Sequence, residues 1–211
     1  MALQGTHIKF AIDLQDYYSP SNLQSYIAGA VYPDTRYITK TPRNLTHPSD
    51  FDQWDINTIS DFAKGWHSHL ACDEIQSQIY IEKFSSLFSY DNMHTGDDDW
   101  VSLTAVKILQ DLNDIANFKI NEFLPDVKFA ELQNGESREL IDKFYALIQN
   151  SYSNPNELSI ESYHPLLVEI GLPFELATRV TDKASEFSKD DELMERLNSA
   201  YAEMIDKIKN A

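Results

Sequence analysis

Cysteine is nearly absent. Cys72 is the only one in 211 residues, so the chain forms no internal disulfide and no thiolate zinc cluster. Glycine and proline are sparse at 6 and 8 residues, and the prolines fall mostly between long periodic stretches, which disfavours a turn-rich sandwich or barrel. No run of about 18 apolar residues occurs, so no spanning helix is expected. The N-terminal MALQGTHIKFAIDLQDYY lacks a basic region followed by an unbroken apolar run, which argues against a secretory signal and makes a cytoplasmic location the default expectation. Basic side chains are scarce too, 17 against 34 acidic ones, for a formal charge of −17. Such a surface repels nucleic acid and anionic lipid at long range, so a non-specific grip on nucleic acid is not expected. Acids that ligate a dication would offset part of that charge.

What is present is enough apolar material for a core: 42% hydrophobic residues, with 11 Phe, 11 Tyr and 3 Trp. Its spacing is helical. Thr6 is a plausible cap for a helix through about Tyr17, and Ser21 for a short helix that Tyr32-Pro33-Asp34 ends. Residues 33–55 read as one long polar loop, a length that in a compact domain points to function or disorder. A long helix is predicted from about Asn57 to Phe88, then a polar loop from Tyr90 to Asp99, then a helix capped among Asp97–Asp99. Further helices are expected at about 136–151, 158–170, 173–187 and 190–209. The expected architecture is all-α, a single domain over 1–211, with site-bearing helices and loops in 1–118 and additional packing helices in 119–211.

The strongest chemical signal is Gly65-Trp66-His67-Ser68-His69-Leu70-Ala71-Cys72-Asp73-Glu74. Residues i and i+4 share a helix face, so His69 and Asp73 can reach one ion. His67 lies about 200° round the helix from His69 and reads as a surface histidine. The face of His69 and Asp73 also carries Phe62, Trp66, Gln76 and Tyr80. Two readings fit a His and an Asp among aromatics: a mutual hydrogen bond inside a bundle, or a ligand set. Asp34 after a proline at a helix end, His47 in the polar loop and His7 at the first helix start favour the ligands. Imidazole and carboxylate donors suit zinc, manganese or iron. Arg36 and Arg43 share the loop with Asp34 and His47; either they balance the acidic surface or they clamp a phosphate.

Ala28-Gly29-Ala30-Val31-Tyr32-Pro33-Asp34, Thr46-His47 and the Gly65–Asp73 segment, in that order, resemble the zinc-dependent phospholipase C family over roughly residues 5–75. The resemblance implies a multi-helix phospholipase C-like bundle, with long connecting loops at a site of up to three zinc ions that hydrolyses phosphodiesters. It further implies that Asp34, His47, His69 and Asp73 are metal ligands, with Asp73 able to bridge, and that His7 serves another ion. The sequence departs from the family where a histidine six residues after the aspartate is replaced by Ile79. His94 with Asp97, Asp98 and Asp99 is one stand-in for a second ion site, and otherwise a solvated loop. Lys107 and Asp111, spaced i, i+4, are another: the lysine can replace a cation electrostatically, or the two form an exposed ion pair.

The expected function is metal-dependent hydrolysis of a small phosphoester, a phosphodiester in the first instance, with one ion best supported and two or three possible. In that reading Asp34 orients water, Arg36 and Arg43 stabilise phosphoryl oxygens, and the loops at 33–55 and 90–99 choose the substrate. The alternative is a non-catalytic helical module with a structural metal or a His–Asp network. An HD-type phosphohydrolase is a lesser alternative, because no His-Asp dipeptide occurs. Sequence leaves the oligomeric state open.

Overall fold

The computed structural model describes residues 2–91, 93–128 and 131–210. All regular structure among them is helical, as expected. The chain opens with α1 (Gln4–Asp13) and a single turn, α2 (Gln15–Tyr18). Its first helix starts earlier than predicted, at a cap on Leu3, and Thr6 is no cap. Thr6 is instead buried, and its hydroxyl donates to Asp114 Oδ2 at 2.9 Å. The next helix, α3 (Leu23–Val31), is capped by Asn22, whose side chain accepts from Ser25 N, and not by Ser21. Ser21 donates to Asp61 Oδ2 instead, tying the two helix starts together.

The segment predicted as one long loop is more structured than that. It runs through a 3₁₀ turn (Tyr32–Thr35), α4 (Arg36–Thr39), α5 (Arg43–Thr46) and a second 3₁₀ turn (Phe51–Gln53). Each piece is one turn long, too short to show apolar periodicity in sequence. The long helix α6 (Asp61–Phe84) is capped by Ser60 and is shorter at both ends than predicted. Asp97 stands at the N-cap position of α7 (Asp98–Ile115), though its side chain accepts from His94 N and not from the helix. Then follow α8 (Arg138–Ser151), α9 (Ile160–Glu169), α10 (Phe174–Phe187) and α11 (Asp191–Lys209). These later helices fall within two residues of the predicted spans, because each has a clean apolar stripe between Pro, Gly or Asp breaks.

Packing explains where the site sits. α6 lies against α3 and α11, while α7 lies against α1 and α10. α1 bridges the two groups by touching both α6 and α7. Its buried face is unusually polar for a core helix: Gln4, Thr6 and His7 are all within it. Beneath α1, Asp111 accepts from Thr6 N (2.5 Å), Tyr152 Oη (2.8 Å) and Tyr163 Oη (2.6 Å). The exposed Lys107–Asp111 ion pair is therefore corrected: Asp111 is fully buried and spends its oxygens on the backbone of α1 and two tyrosines. An i, i+4 spacing alone cannot tell which side of the helix faces water. Among the described residues, no helix is long and apolar enough to cross a membrane.

Candidate metal centre

α3 and α6 cross at Gly29 and Gly65, and the next turn of α6 delivers His69 against the end of α3. His69 Nδ1 lies 2.8 Å from Ala30 O. A carbonyl only accepts, so Nδ1 carries the proton. Burial first, then the neighbouring His7, holds this imidazole well below its usual pKa and keeps it neutral. A neutral ring protonated at Nδ1 presents a lone pair at Nε2. That atom is buried, has no hydrogen-bond partner, and points into the cluster. One outer hydrogen bond fixing the tautomer and one bare nitrogen are the arrangement of a metal-ligating histidine.

Four further side chains meet this nitrogen. Asp73, one turn along α6, places Oδ2 3.8 Å from His69 Nε2 and 3.5 Å from His47 Nε2, and Oδ1 3.4 Å from His7 Nε2. The His7 ring stacks on His69 with centroids 3.6 Å apart, and the His47 ring stands edge-on to His69 at 5.3 Å. Asp34 joins from the 3₁₀ turn after α3. His7, Asp34 and His69 form one candidate metal-holding group and His47, His69 and Asp73 another, with ligand atoms within 4.8 Å of one another in each. Both groups use His69, so they are two halves of one site. His7 Nε2, Asp34 Oδ1, His47 Nε2 and His69 Nε2 are all buried without hydrogen-bond partners.

These atoms fit a metal ion. Zn–N and Zn–O bonds of about 2.0–2.2 Å put the ligand atoms of a tetrahedral site roughly 3.3–3.6 Å apart. The His7–Asp73 and His47–Asp73 separations match this, and His69–Asp73 is slightly longer. Burial pushes the Asp34 carboxyl upward, with Asp73 adding to the effect and His7 opposing it. Asp73 behaves oppositely: burial works against its charge, yet the positive charge and the imidazoles around it, His47 and His7 among them, hold it well below the usual carboxylate range. An orphaned set of imidazole nitrogens beside a disfavoured buried carboxylate is the environment a bound cation would relieve.

Second-layer contacts hold the ligands in place. Ala2 N donates to Asp73 Oδ1 at 2.7 Å, and Gln4 Nε2 to Asp34 Oδ2 at 2.7 Å. Trp66 Nε1 donates to Thr46 O at 2.7 Å, and Thr46 Oγ1 lies 2.9 Å from His47 Nδ1, so α6 fixes the loop that carries His47. Ala2, Gln4 and Ala30 O escaped the sequence reading. A backbone carbonyl carries no residue signal, and Ala2 and Gln4 precede the first periodic stretch.

The other candidates lie as follows. Arg43 is exposed and lines a cleft of about 260 Å³ with His47 and Asp73. Arg36 lays its guanidinium 4.4 Å from the Tyr37 ring centre and acts electrostatically on Asp34. His94 is exposed, and among the described residues it belongs to neither metal-holding group. Ile79 is fully buried in the apolar core. His67 is not the surface residue predicted: it is half-buried, hydrogen-bonds Tyr18 Oη through Nδ1 at 2.7 Å, and packs edge-on against Phe51. Its displacement from the His69 face is as expected. Comparison with protein-family models, curated proteins and solved structures returns no match for this chain.

Proposed function

We propose that this protein is a metal-dependent phosphoester hydrolase that acts on a phosphodiester through water activated at the His/Asp cluster. The observation carrying the reading is the convergence of orphaned ligand atoms from α1, the Tyr32–Thr35 turn, the loop after α5 and α6, beside an open cleft. A purely structural ion would not require the cleft. The ligand order along the chain resembles that of zinc-dependent phospholipases C, which supports zinc over manganese or iron. One bound zinc ion would supply Lewis-acid activation of water and of the phosphoryl oxygens. Its ligands would come from among His7, His47, His69, Asp34 and Asp73, with a coordination position left to water. The second oxygen of Asp34 is already engaged by Gln4, which leaves Oδ1 to bind or to orient water. Arg43, on the rim of the cleft, would take a phosphoryl oxygen of the incoming substrate, and Arg36 would keep the Asp34 turn in place.

The experiment is elemental analysis of the purified protein together with hydrolysis of bis-p-nitrophenyl phosphate and p-nitrophenyl phosphate. About one zinc per chain and chelator-sensitive turnover of the diester are expected. Metal-free protein whose stability ignores chelators would sink the reading. A non-catalytic module with a structural ion is favoured by the enclosure of the ligands, since Ala2 and Gln4 cap one oxygen of each carboxylate. Stoichiometric metal without turnover would establish that reading instead.

A further inference from the structure

Lys107 projects from α7 into a cavity of about 90 Å³ that shares Asp34 with the metal centre; Trp100, Leu167, Ile170 and Leu172 form its apolar walls. We propose that this cavity is an anion subsite in which the Lys107 ammonium binds one oxygen of a phosphoryl group while the metal held by Asp34 binds another. The inference rests on the metal reading above.

In a chain with 17 basic residues against 34 acidic ones, a half-buried lysine facing an apolar-walled cavity calls for a counter-charge. Among the described residues no carboxylate closes an ion pair on Lys107; Asp34 and Asp73 act on it only electrostatically. Once those two carboxylates bind a dication, Lys107 faces a second positive charge across an apolar-walled cavity. Two cations so placed are stabilised by an anion lying between them. Asp111 does not neutralise the lysine, because its oxygens face α1 and the two tyrosines.

Size sets the substrate class. The cavity of about 90 Å³ has room for a phosphoryl group with a small apolar substituent against its walls. A larger group would have to leave through the wider cleft at His47 and Asp73, which measures about 260 Å³. Lys107 thereby selects esters with a compact apolar group on one side of the phosphorus and tolerates bulk on the other.

The test uses inorganic phosphate as the probe, titrated calorimetrically into zinc-loaded wild type, Lys107→Met, Lys107→Gln and Lys107→Arg, with zinc content measured on each sample. The neutral variants should keep their zinc and bind phosphate at least about tenfold more weakly, with Lys107→Arg recovering part of the loss. Equal phosphate binding by zinc-loaded wild type and both neutral variants overturns the subsite and leaves the metal centre standing. Wild type that takes up no zinc overturns both.

Discussion

Gly29 on α3 and Gly65 on α6 lie backbone against backbone. A Cβ added to Gly29 would stand 2.0 Å from Phe62 O, and one added to Gly65 would stand 1.8 Å from Tyr26 O. Neither obstacle is a movable side-chain tip. The close crossing is what lets His69, one turn past Gly65, reach the carbonyl of Ala30, one residue past Gly29. Gly65→Ala should therefore push the helices apart, cost about 3 kcal/mol or more in urea unfolding, and lower zinc content together with stability. A variant with unchanged unfolding midpoint and full zinc would show that the crossing does not position the ligand.

His69 and His67 are two residues apart with opposite expected phenotypes. His69→Ala removes the nitrogen common to both ligand groups, so zinc affinity should fall by more than about 100-fold. His67→Ala removes a hydrogen bond to Tyr18 and edge contacts with Phe51 and Tyr18. It should retain zinc and lose about 1 kcal/mol of stability. Metal content and chemical denaturation of the two variants side by side decide it; zinc retained in His69→Ala would remove the anchor of the site.

Trp66 acts at one remove. Its indole N–H holds Thr46 O, whose residue contacts His47 Nδ1. Trp66→Phe keeps most of the ring packing against Tyr32 and Trp54 but deletes the donor. Zinc affinity should drop about tenfold, as for other outer hydrogen bonds of metal sites. Competition with a chelator of known affinity measures this, and an unchanged value would mean the His47 loop holds itself.

The distribution of these residues explains how much was legible in the sequence. His69 and Asp73 announced themselves through helical spacing, and α8 to α11 through apolar stripes and clear breaks. The Asp34 and His47 positions depended on a long segment of one-turn helices, whose shape is set by tertiary contacts such as Trp66 to Thr46 and Tyr32 to Glu136. Local spacing carries no trace of those contacts, so the segment read as a loop. The inward face of Asp111 was hidden for a related reason. Its partners Tyr152 and Tyr163 lie 41 and 52 residues away.

Asp114 gives a pH signature independent of any metal. Burial pushes its carboxyl up to about 8, with hydrogen bonds from Thr6 and Gln110 opposing the rise only in part. At neutral pH the folded protein keeps this acid protonated, whereas the unfolded chain ionises it near its usual value of 3.8. The folded state then binds the extra proton, so stability falls as pH rises between those two values, by up to about 1.4 kcal/mol per pH unit for this one group. The contribution is fully present below the unfolded value and is lost as pH climbs through about 8. Asp114→Asn keeps the shape and an acceptor for Thr6 but cannot ionise. The difference in unfolding free energy between Asp114→Asn and wild type should therefore move in favour of the variant from pH 5 to pH 8. A difference that stays flat across that range would show that Asp114 is ionised in the folded protein, and that Thr6 and Gln110 hold a carboxylate against the full cost of its burial.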